Sequence, residues 1–344
     1  MNTLQLNQQL VGLLGRTPRP HAGYFAFLSD LHIHHAGEYT SRKPGYPSQT
    51  LTRSQLRKIV DELNALDPGP EFVVFGGDLT DYGIDREWDA FFEEATRLRM
   101  PYHLALGNHD HNSYMPDYST LFRLFNEKRE EHLGSISRST LPADQAYAFE
   151  QAGYRIVILD ARDTGELSED QHEMLDQYES RPSMPTIFVV HRPVLPVGNW
   201  VDHHMLIDKK FLERLTADKG AIAVLSGHVH KSRAWLYKGV RHLINPAVAY
   251  GIGDRVGYRL IGLSQGKIAW SAVRYLHGRS MDQYERWDKS NSDYQHQQVG
   301  ALVIDVPEVF ESHELCHPYR WPQEVDPSER HVTEGALEQL EAVH

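Results

Sequence analysis

The chain has 344 residues, 40% of them hydrophobic and 24% charged, enough to bury a sizeable core in one large domain or two average ones. A formal net charge of -12 argues against general nucleic-acid binding, which draws surplus Lys and Arg to phosphate. One cysteine, Cys316, excludes an internal disulfide and a thiolate metal site, whereas 21 histidines favour a metal site built from nitrogen and oxygen donors.

In chain order, residues 1–21 form an N-terminal segment with a short apolar patch but no basic leader or small-residue cleavage site. No apolar run approaches the ~20 residues a membrane span needs, so no membrane contact and a cytoplasmic location are expected. Short apolar runs at 24–28, 72–75, 102–106, 155–159, 186–190 and 221–225 read as strands covered on both faces. Helical patterns fall between them at 51–66, 86–99, 119–132, 168–180 and 206–218. Ser168 is the N-cap of the fourth, with Glu169 and Asp170 in its first turn. Strand and helix alternating in this way predict an α/β fold with a largely parallel sheet.

Beyond Lys231 the pattern becomes strands at 234–237, 240–244, 258–263 and 267–275, with Ser-Gln-Gly-Lys at 264–267 a hairpin turn. They are expected to be antiparallel strands closing the same core. The main domain is thus placed at 22–277. Residues 278–344, polar and poor in apolar periodicity, are expected to be an appendage: a wrapping arm, a homo-oligomer contact or partly disordered chain.

The chemistry sits directly after the strands. The first run leads into Asp30 and His32, the second into Asp78 and Asp81, and the third into Asn108, His109 and Asp110. The run at 186–190 leads into His191, and that at 221–225 into Gly227-His228-Val229-His230. Ligands of open parallel sheets bind at the carboxyl edge of the strands. Taken singly, each motif also fits a helix cap, a turn or a satisfied core histidine. Five tips delivering Asp, Asn or His to one edge do not, because burying them unpartnered would cost several kcal/mol. A pair of cations is the economical partner.

The ordered series Asp30-x-His32, Gly77-Asp78, Gly107-Asn108-His109-Asp110, His191, Gly227-His228-x-His230 resembles the calcineurin-like metallophosphoesterase superfamily over roughly residues 22–276. LDARDTGELSEDQHEML from Leu159 resembles a further segment of that family, and HRPVLPVGNWVDHHMLID from His191 is similar to its class III branch of cyclic-nucleotide and glycerophosphodiester phosphodiesterases. The resemblance implies a four-layer α/β/β/α sandwich with a C-terminal extension and two divalent metal ions at the strand ends. Asp30, His32 and His230 would hold one metal, Asn108, His191 and His228 the other, with Asp78 bridging. The implied reaction is cleavage of a P–O ester by hydroxide formed from a water shared between the cations. His109 is then the candidate general acid and Asp81 its orienting carboxylate, with Asp110 the rival, better read as a structural cap. Asn108, His109 and Arg192 are candidates for contact with substrate.

One departure narrows the substrate. Relatives that hydrolyse phosphoprotein carry an arginine directly after the aspartate corresponding to Asp81, and here that position is Tyr82. Without that bidentate cation a singly charged phosphodiester, of cyclic-nucleotide or glycerophosphodiester type, is favoured over a dianionic monoester. A phosphomonoesterase acting on a nucleotide or sugar phosphate is the near alternative, and a non-catalytic metal-binding scaffold the distant one. Ligation by nitrogen and oxygen suits Mn, Fe, Zn or Co, and the motif places no tyrosine to bind Fe(III). His34 and His35 read as exposed loop histidines, residues 36–50 as a specificity loop beside the site, and Asn245 and Tyr250 as possible substrate contacts.

Overall fold

The computed structural model describes residues 3–34, 49–111, 146–161, 165–179, 183–195, 206, 208–249, 255–276, 302–305 and 308–310. The helix expected at 119–132, His35, most of the 36–50 loop, Tyr250 and most of 278–344 lie outside them. Two mixed sheets make up the centre. The first runs in the order β12 (Leu302–Ile304), β11 (Lys267–Tyr275), β10 (Gly257–Ser264), β1 (His21–Leu28), β2 (Val73–Gly76) and β3 (Tyr102–Ala105). The second runs β13 (Glu308–Phe310), β8 (Arg233–Tyr237), β9 (Val240–Ile244), β7 (Ala221–Ser226), β6 (Thr186–Val190), β5 (Tyr154–Leu159) and β4 (Tyr147–Gln151).

The two-residue period of each strand sorts its side chains between two layers. On β1, Phe25 and Phe27 face one way while Tyr24, Ala26 and Leu28 face the other. On β5 and β6, Ile156, Ile158, Ile187 and Val189 join Phe25 and Phe27 in a layer shared by both sheets, and Val157, Phe188 and Val190 face away. The outer face of the first sheet packs on α1 (Thr3–Arg16), α2 (Gln49–Asn64) and α3 (Asp85–Ala95). That of the second packs on α4 (Glu169–Glu179) and α5 (Lys209–Ala217). The result is the four-layer α/β/β/α sandwich. Each buried Phe, Ile or Leu adds roughly 1.5–3 kcal/mol of transfer free energy, so the shared layer is a major source of cohesion.

The late strands divide where a single closing set was expected. β10 and β11 extend the first sheet antiparallel to β1, whereas β8 and β9 extend the second, with β9 parallel to β7. The reason is that each sheet keeps one apolar face bare of helices, so sheet must pack on sheet and both need width. Local turn chemistry is as expected: Gln265 and Gly266 both take positive φ in the β10–β11 hairpin. Ser168 Oγ accepts the Gln171 amide at the start of α4, at 3.3 Å.

Two elements before residue 278 lay hidden in the sequence. Helix α1 occupies most of the N-terminal segment, burying Leu6 and Leu10, with Leu13 and Leu14 packed alongside. Positions 6, 10, 13 and 14 share one helical face, a signal masked by the intervening Gln and Asn. Thr17, just past its end, accepts a hydrogen bond from Trp270 Nε1 at 3.1 Å. Strand β4 pairs antiparallel with β5 through a turn at Ala152-Gly153. Of residues 278–344, the described parts add an edge strand to each sheet: β12 beside β11, and β13 beside β8.

Candidate metal centre

The parallel strands β1, β2, β3, β6 and β7 end at a common edge, and the backbone beyond them is bent in a particular way. Asp30, His32, Asp78, His228 and His230 all take positive φ, between 43° and 71°. Among the described residues the other non-glycine positions of this kind are Ala152, Lys238 and Gln265, each in a hairpin turn before a glycine. Left-handed backbone costs a non-glycine residue roughly 1–2 kcal/mol and persists only where the surroundings hold it. Here the first two tips are stitched together: the amides of Asp30, Leu31 and His32 donate to the carbonyls of Gly77, Asp78 and Asp78 at 2.8–2.9 Å. Gly227 donates to the His191 carbonyl at 2.9 Å, and His228 N to Asp30 Oδ1 at 2.9 Å.

Glycine lets the tips approach. A methyl group on Gly227 would stand 2.5 Å from Asp30 Oδ2, and one on Gly107 would overlap Asp78 itself. Neither position can carry a side chain without displacing a carboxylate of the cluster.

Two groups of donors result. His32 Nε2 lies 3.2 Å from His230 Nε2 and 3.7 Å from Asp78 Oδ2, and His230 Nε2 lies 3.4 Å from Asp30 Oδ1. His191 Nε2 lies 3.1 Å from Asp78 Oδ2 and 3.9 Å from Asp30 Oδ1. Donor atoms of Asp30, His32 and His230 fall within 4.8 Å of one another, as do those of Asp78, His191 and His228. Asp78 thus faces both groups. Asp30, His32, Asp78, His191 and His230 are buried, while His228 and Asn108 are partly open.

The donor set suits cations. Asp30 Oδ2, Asn108 Oδ1 and His191 Nε2 are shut off from solvent and make no hydrogen bond, an expensive arrangement unless an ion satisfies them. Electrostatics agree. Burial alone would raise the Asp78 pKa, but His191, His109 and His32 hold it well below the usual carboxylate range. Burial would lower the His191 pKa, and Asp78 and Asp30 instead push it up to about 9.

His109 stands at the mouth of this cluster, its side chain 39% exposed. Its amide donates to Asp78 Oδ1 at 2.9 Å, and its Nδ1 lies 3.0 Å from the main-chain carbonyl of Asp81. The Asp81 carboxylate is farther from that ring, at 3.5 Å, and makes its shorter contact, 3.1 Å, with His32 Nδ1. Asp81 Oδ1 therefore faces both histidines, and the Asp81 main-chain carbonyl meets His109 as well. Against burial, which would lower it, Asp78 and Asp81 raise the His109 pKa to about 10. Asp110 is a fully buried brace: it accepts the amides of Leu79, Thr80 and Gly107 and the Thr80 hydroxyl at 2.8–3.1 Å.

The outer residues are placed less as foreseen. Arg192 is buried. His34 is no exposed loop histidine: its side chain is 8% exposed, with Nε2 4.0 Å from Asp81 and Nδ1 3.8 Å from Glu87. Glu87 itself was missed. It is buried and accepts the Tyr82 amide at 2.7 Å, and its place at the third position of α3 was the available signal. Asn245 is buried beside the second-sheet tips, its own amide donating to the Ser226 carbonyl, with both side-chain amide atoms unbonded. A further link, His111 Nε2 to Asp160 Oδ1 at 2.7 Å, ties the loop after β3 to the end of β5.

No helix among the described residues is long and apolar enough to cross a membrane. The chain is 25% identical over 223 residues to a protein from Arcobacter nitrofigilis named "probable glycerophosphodiester phosphodiesterase", a match covering 62% of this chain and 74% of that one. It is also 25% identical over 210 residues to the 3′,5′-cyclic adenosine monophosphate phosphodiesterase of Vibrio vulnificus, covering 57% and 68% respectively. The fold is shared with a dimetal phosphatase from Danio rerio, at a TM-score of 0.55 and 16% identity, over 74% of this chain and 96% of that one. The family model described as calcineurin-like phosphoesterase matches residues 23–232, which contain every one of these strand tips. The chain belongs to the calcineurin-like phosphoesterases, hydrolases that act on phosphoester bonds.

Proposed function

We propose that this chain hydrolyses small phosphodiesters, of cyclic-nucleotide or glycerophosphodiester type, with two divalent cations held at the strand tips. Asp30, His32 and His230 would hold one cation and Asn108, His191 and His228 the other, with Asp78 shared. The observation that carries the reading is Asp78, whose carboxylate faces both histidine groups at once. Bound there, the cation pair would supply Lewis-acid activation of water and neutralise phosphoryl charge.

The remaining work falls to the chain. His109, anchored through Nδ1, keeps Nε2 for a proton delivered to the departing alkoxide. The Asp81 carboxylate orients His32, and its carbonyl orients His109. Asp110 holds the backbone of the second and third tips in register. Tyr82, in place of a phosphate-clamping arginine, leaves the pocket short of one positive charge, which suits a diester. The names of relatives at 25% identity agree with a diester substrate.

The test is turnover of bis-p-nitrophenyl phosphate and of p-nitrophenyl phosphate by protein loaded in turn with Mn, Fe, Zn and Co. Diester turnover well above monoester turnover is expected. The reverse order would establish the monoesterase reading instead.

A further inference from the structure

Arg259, in the middle of β10, is completely buried, and its guanidinium reaches three separate parts of the chain. Its Nη2 donates to the Ile244 carbonyl at 2.8 Å, at the end of β9, and to Ser232 Oγ at 2.9 Å, with the Arg233 carbonyl at 3.5 Å. Its Nη1 donates to Asp305 Oδ2 in a short ion pair. Asp305 directly follows β12, and its carboxylate also accepts the Ser271 hydroxyl at 2.6 Å, while its amide donates to the Ser271 carbonyl at 2.9 Å. Three residues after Asp305, β13 begins on the edge of the other sheet.

Ser232 stands two residues after His230. The loop from Gly227 to Lys231 contains two left-handed residues, His228 and His230, and needs anchors at both ends to stay so. One end is held by the Gly227 amide on the His191 carbonyl. At the other end the chain enters β8 at Arg233, which pairs with Ile244 of β9, and Arg259 adds a hydrogen bond to the Ser232 hydroxyl. A buried guanidinium cannot lose its proton and needs an anion beside it, and Asp305 is that anion. Without it, the guanidinium would turn toward other acceptors or water, weakening its hold on the Ser232 hydroxyl.

We propose that Asp305 and Arg259 form a latch through which the C-terminal segment positions the His228–His230 loop for metal. This rests on the two-cation reading above. Asp305 is a positioning residue: it touches neither metal nor substrate, and acts through Arg259 and Ser232. The end of β12 with Asp305 is then part of the metal centre's support, although it lies some seventy residues beyond the last ligand and outside the family match.

The test is manganese(II) titrated calorimetrically into the metal-free full-length protein, well below its melting temperature. Asp305→Ala is expected to weaken at least one manganese site by about 10-fold or more, the usual effect of removing an outer support. Asp305→Asn, which keeps an acceptor for Arg259 and Ser271, should recover most of that loss. Ser232→Ala should weaken binding by about 3- to 10-fold, the worth of one hydrogen bond, and decides the matter alone if Asp305→Ala does not fold. Wild-type affinity in Ser232→Ala, or in folded Asp305→Ala with only its melting temperature lowered, overturns the latch. A wild-type protein that takes up no manganese, iron, zinc or cobalt overturns the cation reading and the latch with it.

Discussion

The strand tips and the hairpin turns both use left-handed residues that are not glycine, and they hold them differently. At Ala152, Lys238 and Gln265 the strained residue is followed by a glycine that closes the turn, so the strain is local. At Asp30, His32, Asp78, His228 and His230 the bend is held by hydrogen bonds to other strands and by buried carboxylates. Strain at a turn is a matter of that turn alone. Strain at a tip is coupled to every other tip, and in the proposed function to the cations they share.

The largest effect expected from that coupling is at Asp78. Asp78→Asn should remove metal and activity together, measured as bound metal per chain and diester turnover, because both donor groups lose their common anion. His109→Ala should separate the two: metal content stays at the wild-type level and turnover falls by ~10²–10⁴-fold, the range for a lost general acid. Loss of metal in His109→Ala would move His109 from acid to ligand. Gly107→Ala should come next, displacing the Asp78 carboxylate and costing ~1–3 kcal/mol of stability as well as metal, read by thermal melting with and without manganese.

Histidines divide along the same line. At the tips, carboxylates raise the pKa of His191 and His109. On β9, burial with no acid beside it lowers that of His242 to about 3. The unfolded chain takes up this proton near pH 6.5 and the folded chain only near pH 3. The resulting stability is therefore complete above pH 6.5 and declines as pH falls from 6.5 toward 3. His242→Phe should flatten that part of the stability–pH curve, measured by urea melts at pH 7 and pH 4.5. An unchanged acid limb would show that His242 is not its source. The smallest effect belongs to the turn: Gln265→Gly relieves one left-handed residue and should change stability by no more than ~1 kcal/mol, leaving metal content untouched.

Much of the site was legible because its residues directly follow apolar runs. Asp30, Asp78, Asn108, His191 and His228 each stand within three residues of a strand end, and strand ends are easily read. Asp110 as a brace was legible too, from its place in a tight Gly-Asn-His-Asp turn. The two-sided role of Asp81 was not, because the sequence cannot say whether a carboxylate or a main-chain carbonyl will meet a ring. His34 read as a surface residue, but its side chain is largely buried, with Nδ1 3.8 Å from Glu87 of α3. Arg259 gave no sign at all, since its partners Ser232, Ile244 and Asp305 are 27, 15 and 46 residues away.

What this sequence determined unaided is short in range: where strands begin and end, which way alternate side chains point, and which donors stand at each tip. Those follow from backbone period and turn chemistry within a few residues. The tertiary structure alone decided that two sheets share one apolar layer, that the late strands part between them, and that a carboxylate from the distal segment meets the buried guanidinium of Arg259. Such choices depend on burying faces and charges against partners far along the chain, and no local pattern records which partner will be there.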